Sequence, residues 1–98
     1  MASVMTAPRT VTFDLAEGGV RPLNRFLHHE AGDTAKVIVE NPDGAHNIAV
    51  GVDAPVDVEV RGHAGYYAGG MNKQASITIA GNAGPGVAEG MSSGTVRV

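Results

Sequence analysis

The 98-residue chain has no cysteine and no tryptophan, and only two phenylalanines and two tyrosines. Without cysteine it forms no disulfide, thiolate metal site, iron–sulfur ligation or thiol nucleophile, a usage that fits a cytoplasmic protein. No apolar run approaches the roughly 18 residues of a membrane span. The opening MASVMTAPRT lacks a continuous apolar stretch and does not read as a secretory signal. Seven Lys and Arg against ten Asp and Glu leave a net charge of −3 with no run of basic residues, which argues against a nucleic-acid binder. Four aromatic side chains are too few to fill an ordinary sandwich or bundle core.

Glycine is plentiful and unevenly placed. Nine of the fourteen lie from Gly62 onward, in a stretch whose only charged residues are Lys73, Glu89 and Arg97. Ahead of it, Val11, Phe13 and Leu15 alternate and predict a strand over 10–15, ended by Gly18-Gly19. Val20, Leu23, Phe26 and Leu27 form a helical stripe. It predicts a helix from Pro22 to Glu30, with Gly32 as its stop. Strands are expected at 36–40, 48–50 and 56–60, the first closed by the turn Asn41-Pro-Asp-Gly44.

The last region repeats. Val58-Glu-Val60 precedes Arg61-Gly-His-Ala-Gly65, and nineteen residues later Ile77-Thr-Ile79 precedes Ala80-Gly-Asn-Ala-Gly84. Val96-Arg-Val98 follows after the same interval. Val39 lies nineteen before Val58, and Met71 and Met91 recur at twenty, which implies a one-residue slip between those two turns. One short strand per repeat of this length signals a solenoid, because a single turn cannot bury its own apolar face. Stacking would form the columns Val58–Ile77–Val96 and Val60–Ile79–Val98. Gly62, Gly65, Gly81, Gly84, Gly86, Gly90 and Gly94 would occupy the corners. A flexible glycine-rich tail is the competing reading, but strict apolar alternation at fixed spacing argues against it.

The expected fold is therefore mainly β. It comprises an N-terminal strand and capping helix over 1–33, then the first turns of a parallel β-helix over 34–98. Stacks of this kind need about three repeats and a cap at each end. The chain thus reads as the N-terminal piece of a longer one, an expectation that a native stop codon directly after Val98 would overturn.

Candidate sites are few. His28 and His29 are adjacent on the predicted helix, about 100° apart, and are poorly placed to chelate one ion together. His46 and His63 have no acidic partner at ligand spacing. Ser76, Ser92 and Ser93 lie in turn contexts without a nucleophile elbow. Glu89 is the only acid after Glu59 and has no partner to make it a base. Gly81-Asn-Ala-Gly-Pro-Gly86 lacks the Lys-Ser/Thr of a phosphate loop. Tyr66, Tyr67, Met71, Asn72 and Lys73 form the most suggestive cluster. They read either as a contact for a partner subunit or as a cover over the end of the core.

The segments Gly44–Asp53, Gly62–Lys73 and Gly81–Gly94 resemble the GXGXG domain family. This domain closes the large subunit of glutamate synthase and occurs in formylmethanofuran dehydrogenase. The likeness is strongest to the stand-alone GXGXG subunit of N-methylglutamate synthase and its GlxC-type relatives, over about residues 10–98. The resemblance implies a right-handed parallel β-helix that acts as a non-catalytic scaffold. It implies as partners a class II amidotransferase-like chain and an FMN-dependent glutamate synthase-like chain. Flavin and iron–sulfur centres would belong to those partners, with no cofactor on this chain. A component of formylmethanofuran dehydrogenase and a free-standing interaction module are the alternatives.

Overall fold

The computed structural model describes residues 9–31 and 34–98. Its elements run β1 (Arg9–Asp14), α1 (Leu15–Gly18), α2 (Val20–His29), β2 (Thr34–Glu40), β3 (Asp57–Arg61), β4 (Ser76–Ile79) and β5 (Thr95–Arg97). The five strands form one parallel sheet in the order β1-β2-β3-β4-β5. The fold is mainly β, with two short helices near the start.

Register explains the composition. Val37, Val58, Ile77 and Val96 stand opposite one another in successive strands, and Val39, Val60 and Ile79 form the neighbouring column. Val11 and Phe13 of β1 extend both columns upward. Val37, Val39, Val58 and Val60 have no exposed surface. A core one or two β-branched side chains wide needs no large aromatics, because each is enclosed by its neighbours above and below. Val39 pairs with Val60, so the spacing between β2 and β3 is 21 residues and not nineteen. The expected match of Val39 to Val58 fails because Val37 and Val39 are chemically equal and only pairing tells them apart.

The segment 48–50 is not a strand. It belongs to a corner in which Asn47, Ala49 and Gly51 all have positive φ. Ile48, Ala49 and Val52 are fully buried there, so apolar residues at a corner imitate a strand pattern. The same alternation recurs at Tyr67, Gly69 and Met71, and again at Gly86, Ala88 and Gly90. Hydrogen bonds link these corners. Asn47 N–H donates to Tyr66 O (2.8 Å), and Tyr67 N–H donates to Pro85 O (3.1 Å). In the other direction Gly69 N–H donates to Ile48 O (2.8 Å) and Ala88 N–H to Ala68 O (2.9 Å).

These bonds relocate the slip. Met71 N–H donates to Glu89 O and Ser92 N–H to Asn72 O, so Met71 lies over Gly90 and Asn72 over Met91. The irregularity is one layer earlier. The link from Val52 to Val56 is one residue longer than the link from Asn72 to Ala75 that lies over it, as the bonds Lys73 N–H to Val52 O and Ser76 N–H to Val56 O fix. Asn72 closes the shorter link. Its Nδ2 donates to Ala75 O (2.8 Å) and its Oδ1 accepts from Ala75 N–H (3.0 Å).

Two glycines are dictated by close approach. A Cβ at Gly65 would lie 2.3 Å from Gly44 O, and one at Gly94, where φ is +84°, would lie 2.5 Å from Ala75 O. Both are backbone collisions that no side-chain adjustment relieves.

At the N-terminal side, Leu15 opens α1 and does not end β1. Asp14 caps that turn by accepting Ala16 N–H (2.9 Å). The main helix begins at Val20, two residues before the expected start, with Gly19 as its N-cap. Pro22 still falls among the first four residues, whose N–H groups have no helical partner. Leu23, Phe26 and Leu27 face inward, and the Phe26 ring meets that of Phe13 at 5.3 Å. The expected stop at Gly32 lies outside the described residues.

Candidate functional site

Helix α2 lies across the first corner, and three of its polar contacts hold it there. Asn24 Nδ2 donates to Asn47 O (2.8 Å), while Asn24 Oδ1 accepts Ala49 N–H (2.9 Å). His28 Nε2 donates to Val50 O (2.7 Å), which fixes that nitrogen as the protonated one. These contacts take the places filled by backbone in later layers. Gly69 and Ala88, the counterparts of Ala49, donate to the carbonyls of Ile48 and Ala68. The counterparts of Val50 O are Gly70 O, which accepts Gly51 N–H, and Glu89 O, which accepts Met71 N–H.

The exposed side of α2 carries, besides Pro22, four basic side chains. Arg21, Arg25, His28 and His29 are exposed and follow one another at helical spacing. With Asn24, His46 and Asn47 they line an open depression of about 480 Å³ that contains no acidic side chain. Among the described residues, the ion pairs lie elsewhere, on the outer face of the sheet. There Lys36 meets Glu59 at 3.0 Å, and Arg61 bridges Glu59 and Glu40. The Arg61 guanidinium first, then the Lys36 ammonium, holds the Glu59 carboxyl below the usual carboxylate range. The sequence has no basic run, yet folding collects Arg21, Arg25 and the histidines on one face. The readable signal was the spacing of Arg21 and Arg25, one helical turn apart, although Arg21 falls just outside the helix expected over 22–30; His46 joins only through the tertiary fold.

Beside this depression lies the expected Tyr–Met cluster. Tyr66, Tyr67 and Met71 are about half exposed or more, at 53%, 49% and 60%. Lys73 is exposed on the same connection. Asn72 does not join them at the surface, since it is fully buried and both ends of its amide bind Ala75. The His46 ring stacks on Tyr66 with centroids 4.6 Å apart, and its Nδ1 accepts Tyr66 N–H (2.8 Å). A second hollow, about 380 Å³, is lined by Asn47, Tyr67, Met71 and Glu89 among others. Asn47 belongs to both hollows, so the basic and aromatic patches are continuous.

The remaining candidates are placed as follows. His28 and His29 stand edge to face with ring centroids 6.1 Å apart, one of them committed to Val50. His63 Nδ1 accepts Asn82 N–H (2.9 Å), a bond between layers like that of His46. Gly62, Gly65, Gly81 and Gly84 lie where the chain leaves β3 and β4, and Gly86 and Gly90 in the third corner.

This chain is similar to Protein GlxC of Rhizobium meliloti (strain 1021). The two are 48% identical over 87 residues, which take in 87% of this chain and 38% of that protein. The chain thus spans well under half the length of the relative. No family model matches the chain, and no solved structure matches it. Among the described residues, no helix is long and apolar enough to cross a membrane.

Proposed function

We propose that the chain is a non-catalytic scaffold subunit of a glutamate synthase-like or N-methylglutamate synthase complex. Its strands and corners are read as consecutive turns of a right-handed parallel β-helix of the GXGXG type, with α2 as the cap. Its task is to align a class II amidotransferase-like chain with an FMN-dependent synthase chain. Flavin and iron–sulfur chemistry stays on those partners. The observation that carries this reading is the 48% identity to Protein GlxC across most of the chain. The stacked hydrogen bonds on both the strand and corner sides support the β-helix, because they pair each layer with the next around its circuit.

A scaffold presents rigid surface. The Tyr66–Tyr67–Met71 patch suits this: large, amphipathic side chains held on a corner whose backbone is bonded to layers above and below. The test is co-expression of this chain with a class II amidotransferase-like chain and an FMN-dependent synthase-like chain from the same source. The expected result is a ternary complex that fails to assemble without the chain. Assembly of the two partners with full activity in its absence overturns the reading.

A further inference from the structure

The basic helix face is electrostatically unfavourable by itself. Arg21 and Arg25 are one helical turn apart, where like charges repel. Arg21 also sits in the first turn of α2, where the helix dipole disfavours a cation. No acid lines this depression, although Glu30 shares the adjoining hollow with both arginines, and no ion pair to either arginine is found among the described residues. The surface is too open to enclose a small ligand, since binding pockets bury most of their ligand. It runs on into exposed Tyr66, Tyr67 and Met71 through the His46–Tyr66 stack and the shared Asn47.

We propose that this continuous face docks an acidic segment of a partner protein that carries an apolar side chain beside its carboxylates. The carboxylates meet Arg21 and Arg25, and the apolar side chain lies on Tyr67 and Met71. Charge complementarity selects the acidic segment, and the adjoining aromatic surface selects a protein over a simple ion. Nucleic acid is disfavoured, because its binders typically neutralise several phosphates, whereas this face offers two arginines on a chain of net charge −3. The proposal deepens the scaffold reading by giving the chemistry of one partner contact.

The chain suits a direct test. Tyr66 and Tyr67 are its only tyrosines and there is no tryptophan, so intrinsic fluorescence reports on this patch alone. The whole chain is titrated with poly-L-glutamate, an alternating Glu–Leu peptide, free glutamate, inorganic phosphate and single-stranded poly(U). The Glu–Leu peptide is expected to bind most tightly, in a salt-sensitive manner. Arg21→Gln with Arg25→Gln is expected to weaken it about tenfold, and Tyr67→Ser to remove its advantage over poly-L-glutamate. Arg97→Gln, a cation on β5, is expected to leave it unchanged. Circular dichroism checks that each variant is folded.

Equal loss with Arg97→Gln reduces the effect to net charge and overturns the proposal. So does free glutamate or phosphate binding as tightly as the peptide, tighter binding of poly(U), or no binding of the peptide. Co-purification with the partner chains separates the two readings. A ternary complex indifferent to the double arginine variant overturns the docking face and leaves the scaffold. Peptide binding without a complex overturns the scaffold and leaves the face.

Discussion

The side-chain oxygen of Asn24 accepts the backbone N–H of Ala49 at 2.9 Å, in the position where later layers use a main-chain carbonyl. With its Nδ2 on Asn47 O, one amide side chain imitates a peptide group of a preceding layer. Asn24→Ala leaves the N–H of fully buried Ala49 without its acceptor. The lost bonds are worth about 2–4 kcal/mol, and alanine's better helix propensity returns roughly 0.5 kcal/mol. A net loss of about 1–3 kcal/mol is expected by chemical denaturation. Asn24→Asp, which keeps an acceptor for Ala49, is expected to lose less than Asn24→Ala; the reverse order would refute the capping role.

Asn72 is the other amide that completes the backbone. It is fully buried and binds Ala75 at both ends. Asn72→Ala is expected to destabilise by about 2–4 kcal/mol, because Ala75 loses a donor and an acceptor in a place closed to water. Asn72→Asp is expected to be worse, since it buries a charge against the Ala75 carbonyl. Thermal melts of the two variants side by side decide the order.

Met71 has φ of +53° and is 60% exposed. A left-handed conformation costs a non-glycine residue about 1–2 kcal/mol, and glycine's greater freedom in the unfolded chain offsets roughly half of that. Met71→Gly is therefore expected to stabilise the chain by about 0.5–1 kcal/mol while weakening binding of the Glu–Leu peptide. A variant that is both less stable and undiminished in binding would contradict both parts.

The Lys36–Glu59–Arg61–Glu40 network predicts an acid-side dependence. The Glu59 carboxyl is held below its ordinary value by Arg61 and then Lys36. A group depressed in the folded state contributes stability above its unfolded pKa and loses it as pH falls through the folded one. Stability measured from neutral pH downward is expected to fall across and below the ordinary carboxylate range. Glu59→Gln is expected to show a shallower fall there and a small difference at neutral pH, since the network is exposed. Identical acid profiles would remove Glu59 from the account.

Sequence alone was enough for β2 to β5. Alternating Val and Ile at near-constant spacing has one economical outcome, a stack in which each strand buries what its neighbour exposes. It was also enough to find the helical stripe of Leu23, Phe26 and Leu27, and to single out the Tyr66–Tyr67–Met71 segment. The corner at Ile48–Val50 was beyond it, because burial places apolar residues at corners and strands alike, and because Ala49, Tyr67, Met71 and Ala88 take positive φ without being glycine. The register of β2 on β3 was beyond it too, since Val37 and Val39 are interchangeable until a partner strand chooses between them, whereas the expected column Val58–Ile77–Val96 matches the pairing of β3, β4 and β5. The tertiary structure decided which amides complete the backbone and which cations share a face. Asn24 carries no signal in the sequence and His28 reads there only as a poor metal ligand; their roles arise only when α2 is laid across the first corner and that corner's unpaired groups need partners.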